Sequence, residues 1–93
     1  MKISDLLVPG WEEIPMEQEY VEWTRETIQS VKIGGVWMVP RTGIMLTRVS
    51  KKKLQFVEPM AHPDIDPLDQ KAEMLGIYAH AIAAGFEFEE EIK

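Results

Sequence analysis

Residues 34–50 read GGVWMVPRTGIMLTRVS. Two glycines, four apolar residues, a PRTG turn and a second extended run predict a strand, a reversal and another strand. Proline early and glycine last suit a tight turn. So short a link joins antiparallel neighbours. Strand side chains alternate between two faces. Yet Val36, Trp37, Met38 and Val39 are apolar on both, so each face needs a cover.

The same logic extends along the chain. Strands are predicted over 36–40, 43–50 and 53–59, an antiparallel meander over 36–59. Pro40 closes the first, because proline donates nothing to a ladder. The SKKK run makes the second turn, and its lysines blunt an edge. Upstream, Met16, Tyr20, Trp23, Thr27 or Ile28, and Val31 recur at three- and four-residue steps. This predicts a helix over 15–33, with Pro15 in its first turn and Gly34-Gly35 as its stop. Residues 1–14 read as an arm, broken at Pro9-Gly10. Downstream, Asp66-Pro67-Leu68-Asp69 is a helix start. That helix runs over 66–84 with the stripe Leu68, Ala72, Leu75, Tyr78 or Ala79, and Ile82, and Gly85 ends it. Residues 86–90 alternate as a short strand or docked tail. The chain is thus one domain, 1–93, of the α+β class, ordered α-β-β-β-α-β. It has a three- to four-stranded antiparallel sheet with two helices packed on one face.

That architecture leaves a face over. Ile44, Leu46, Leu54 and Phe56 form the richer side and seat the helices. Two helices cover one face of three strands, not both. The other side holds Met45, Val49, Val57 and two of residues 36–39, of which Trp37 is taken with them as partner-binding. Burying apolar area is worth about 25 cal/mol per Å², so the face attracts an occupant. The candidates are the arm (Leu6, Leu7, Val8, Trp11), a second copy, or a host or viral protein.

Charge is segregated. Residues 1–30 carry −5, residues 31–57 carry +6 and residues 58–93 carry −7, for a net charge of −6. The basic centre supplies an alternative reading: Arg41, Arg48, Lys51, Lys52 and Lys53 as a nucleic-acid surface with Trp37 and Phe56. Net acidity argues against it, because phosphate binding needs cations in excess. The lysines also serve as a solvated turn.

Conventional catalytic patterns are missing. There is no cysteine, hence no thiol nucleophile or thiolate metal site. No histidine pair has the spacing of a zinc hydrolase, and KIGGVW is too short for a phosphate-cradling loop. His62, Asp64, Asp66 and Asp69 lie within eight residues. They match no calcium loop, and Asp66 and Asp69 already serve a helix start. His80 reads as a helix-packing residue. The expectation is a non-catalytic protein with no cofactor and no metal. No apolar run approaches the ~18 residues that span a bilayer, and the acidic start is unlike a signal peptide. A cytoplasmic setting follows.

The run VWMVPRTGIMLTRV, then KLQFVEPM and HPD, then a helix and AAGFEFEE, resembles small bacteriophage-encoded proteins. These share a V-W-x-V-P-R-[ST]-G strand and turn, a hairpin, a proline-rich link and a helix with an AG stop. The resemblance covers Val36 to Glu89. It implies a viral origin and the host cytoplasm, and supplies no catalytic residues.

Overall fold

A computed structural model describes residues 1–93. Strands β1 (Val36–Val39), β2 (Ile44–Arg48) and β3 (Lys53–Val57) form the expected meander. Helix α1 (Gln18–Gln29) precedes it and α2 (Pro67–Ala83) follows. A two-residue strand, β4 (Glu87–Phe88), completes a four-stranded sheet ordered β1-β2-β3-β4. The class is α+β. The sheet is mixed, not wholly antiparallel: β4 runs parallel to β3, with Leu54 opposite Phe88. A long helix after β3 carries the chain back to the starting end of that strand, and a strand entering there runs the same way.

The hairpin register answers half of the opening puzzle. The 40–43 turn sets Val39 opposite Ile44 and Trp37 opposite Leu46. Trp37 and Val39 therefore share the face of Ile44, Leu46, Leu54 and Phe56, which are fully buried. Val36 and Met38 point the other way. The turn is fixed by Thr42, whose hydroxyl donates to the Val39 carbonyl at 2.9 Å and accepts from the Ile44 N–H at 3.1 Å. Gly43 is obligatory there: its φ is +72°, and a Cβ would sit 2.7 Å from the Met60 carbonyl oxygen.

Both helices use a largely different stripe from the one expected, sharing with it only Ile28 of α1 and Ala79 of α2. In α1 the buried residues are Val21, Thr24 and Ile28, while Trp23 is 45% exposed. The two stripes fit helical spacing equally well. Thr24 is tolerated inside because its hydroxyl bonds the Tyr20 carbonyl at 2.8 Å. Tyr20 and Trp23 instead close the flanks, against His80 and Trp37 (ring centroids 4.4 and 5.9 Å). α1 is also shorter than 15–33. Pro15 lies before it, and Glu17 is still extended (φ −96°, ψ 120°).

In α2 the inner stripe is Gln70, Met74, Ile77, Ala81 and, just past the helix, Ala84; Leu68 is 76% exposed. Gln70 heads it because its amide donates to the carbonyls of Met60 (3.0 Å) and Thr42, tying the link after β3 to the first hairpin turn. Asp66 accepts from the Leu68 N–H at 2.8 Å, the expected N-cap.

The arm joins this same core. Ile3 and Leu6 are buried in it, and Trp11 meets Tyr78 of α2 (5.3 Å). Near the C-terminus, Ile3 N–H bonds the Glu90 carbonyl at 2.8 Å and Lys2 bridges antiparallel to Glu91. The arm thus extends the β4 side of the sheet. The outer face is not its seat.

Candidate interaction surface

Two opposed surfaces come from one sheet. The inner face carries both helices. On the outer face, side chains grade from apolar to charged across the strands. β1 offers Val36 and Met38. β2 offers Met45 and Thr47, and β3 offers Gln55 and Val57. Towards β4, Lys53 pairs with Glu89 at 3.7 Å, and Gln55 donates to the Glu91 carbonyl at 3.0 Å. Val36 is 51% and Met38 67% exposed, and Met45 and Val57 are half-buried. At the hairpin end, Met38, Met45, Met60, Pro40 and His62 line an apolar depression of about 270 Å³. Flexible, polarisable methionine side chains adapt to varied surfaces.

Of the four residues assigned to partner binding, Met45 and Val57 lie on this face, and Val49 is exposed just past β2. Trp37 does not join them. It packs on the helix side, where Trp23 meets it. The residues that replace it, Val36 and Met38, were within reach of sequence reasoning. A turn spanning 40–43 sets 39 opposite 44, which places odd positions of β1 with even positions of β2.

β1 also ends the sheet. The Arg48 N–H bonds the Gly35 carbonyl at 2.9 Å. Antiparallel ladders alternate bonded and non-bonded pairs, so Trp37 and Val39 turn their backbone groups to β2. Val36 and Met38 turn theirs outward. An edge strand so disposed is a template for another strand.

The basic residues do not assemble as one set: Arg41 stands apart from Arg48, Lys51 and Lys52. Arg41, with φ +65°, sits in the 40–43 turn. Lys51–Lys53 follow the opposite end of β2, whose five residues span about 17 Å. Arg48 donates to the carbonyls of Val31 (2.8 Å), Lys51 (2.9 Å) and Gln29 (3.4 Å). Arg25 donates to the Ala84 carbonyl at 3.3 Å. These two cations thus serve the C-terminal ends of α1 and α2, where the helix dipole is negative. A cleft of about 170 Å³ between them and Lys51 and Lys52 is floored by those same ends.

A second groove, about 380 Å³, lies between α1 and α2 and is lined by Pro15, Glu17, Tyr20, Glu73, Gly76 and His80 among others. His80 Nδ1 is 2.8 Å from the Gly76 carbonyl oxygen. That oxygen only accepts, so Nδ1 carries the proton. Burial, then the Glu73 charge, pushes the Tyr20 phenol up. A phenol so shifted stays protonated near neutrality and is not available there as a base. His62 Nδ1 accepts from the Asp64 N–H at 3.1 Å, and Asp66 caps α2. No group of three or more His, Cys, Asp or Glu side chains could hold a metal ion. No helix is long and apolar enough to cross a membrane.

No protein-family model, curated protein or solved structure matches the chain.

Proposed function

We propose that this chain is a small, acidic, non-catalytic interaction protein of bacteriophage origin. It works in the host cytoplasm by docking the β1–β2 side of its outer sheet face on protein, either its own second copy or a host or viral partner. The exposure of Val36 and Met38 beside Met45 carries this reading. The arm and both helices are committed to the opposite layer, while contiguous apolar patches on protein surfaces mark contact sites.

Charge on the face tests it. Met45→Lys is expected to abolish the contacts with other proteins that the native chain makes in cross-linking from host lysate. Ile33→Lys, at an exposed apolar position before β1, is expected to preserve them. Equal capture by both variants would contradict the reading. The alternative, nucleic-acid binding through Arg41, Arg48 and Lys51 to Lys53, requires a salt-sensitive oligonucleotide affinity that falls when Lys51 and Lys52 are neutralised. Such an affinity, unaffected by Met45→Lys, would replace the docking reading.

A further inference from the structure

We infer that the β1 edge pairs with the β1 edge of a second copy about a two-fold axis at Trp37. This rests on the interaction-protein reading above and names its first partner and its contact. Three observations carry it. First, the outward backbone groups belong to Val36 and Met38, one on each side of Trp37. A two-fold axis at Trp37 sets Val36 opposite Met38 of the other copy, and the reverse. All four N–H and C=O groups of each edge then find partners, two at each residue. An axis at Val36 or Met38 would leave some of them unpaired.

Second, the contact is self-complementary on both layers. On the outer face, Val36 lies beside the other copy's Met38. On the helix side, the two Trp37 side chains meet as a non-hydrogen-bonded pair, where side chains approach most closely. Half-exposed Trp23 stands next to them, its ring 5.9 Å from Trp37. Two-fold interfaces require such matching of a patch with itself.

Third, electrostatics permits it only at this edge. Each copy carries −6, and like charges repel. β1 has no charged residue, whereas the β4 side presents Glu87, Glu89 and Glu91. Addition of a strand at an exposed edge is a recurring mode of recognition. Joining the two edges gives one continuous eight-stranded sheet.

The native chain is expected to scatter light as a dimer at high micromolar concentration and to dissociate on dilution. Met38→Pro removes only an outward N–H, because the bonds to β2 come from Trp37 and Val39. It is expected to give a monomer with unchanged circular dichroism. Met38→Lys keeps the N–H but places two cations beside the axis, and should weaken the dimer at least tenfold. Met45→Lys, which disables the outer face one strand inward, should lose that face's contacts with other proteins while the edge-paired dimer persists. A native chain that stays monomeric throughout would overturn the edge pairing and leave face docking standing. A dimer that survives both Met38 variants but is lost in Met45→Lys would also overturn it, and would place the contact on the face.

Discussion

The two edges of the sheet are finished differently. β4 is two residues long. Beyond it, the Lys2–Glu91 bridge and the Ile3–Glu90 hydrogen bond tie the arm on as a further partial strand. Glutamates alternate along that side. These are the usual means of blunting an edge. β1 has none of them. Its four residues are apolar, its outward N–H and C=O groups are free, and the lysines expected to protect an edge lie in the β2–β3 turn. A chain that spends its arm on one edge and leaves the other open has one closed end and one available end. The difference is what the proposed pairing of two β1 edges requires.

The comparison breaks most severely at the core under both edges. Phe56 is fully buried and stacks on Phe88 of β4, centroids 5.1 Å apart. Phe56→Ala is expected to cost about 3–5 kcal/mol in chemical denaturation, much of the roughly 5–15 kcal/mol that holds a domain folded. Trp23→Ala, on an exposed flank, should cost far less while weakening association. Ile3→Ala comes next, at about 2–5 kcal/mol. It should loosen the arm and expose β4, so that faster amide exchange at Ile3 and Ile92, which donate across that contact, accompanies a new tendency to aggregate. Gln70→Ala leaves two carbonyls unpaired, worth about 1–3 kcal/mol each, and should mobilise the hairpin turn beside β1 without touching β4.

The smallest expected effect is electrostatic and remote from either edge. Arg25, hydrogen-bonded to Glu22 at 2.6 Å, holds that carboxyl below the usual range. A lowered folded pKa gives stability above the ordinary carboxylate value, and that stability is lost as pH falls through the lowered one. Arg25→Gln should raise the Glu22 titration midpoint seen by NMR and trim stability slightly at neutral pH, the difference from the native chain vanishing as pH falls through the lowered midpoint. Association should not change.

The strands and α2 were legible because their signals are local: PRTG, SKKK, the Asp66-Pro67 start and the Gly85 stop. The two stripes were not. Large aromatics at 20 and 23 attract a core assignment, and only tertiary packing shows that small Thr24 fits inside while Trp23 closes a flank. Gln70 was invisible for a related reason. A buried polar side chain is justified by distant carbonyls, here at Thr42 and Met60. Half of the candidate surface was readable, through Met45, Val49 and Val57. Trp37 was misplaced because the 36–39 run has no polar residue of its own to mark its inward face; that parity comes only through the turn register, which sets Val39 opposite Ile44. The parallel direction of β4 depends on where α2 delivers the chain, which no local pattern encodes.

Amide hydrogen exchange of β1 as a function of protein concentration tests the account most directly. The Trp37 and Val39 amides, bonded to β2, should be protected at every concentration. The Val36 and Met38 amides should exchange freely in dilute protein and become protected as concentration rises through the dimer transition. Free exchange of Val36 and Met38 at all concentrations, with Trp37 and Val39 protected throughout, would contradict the open-edge account.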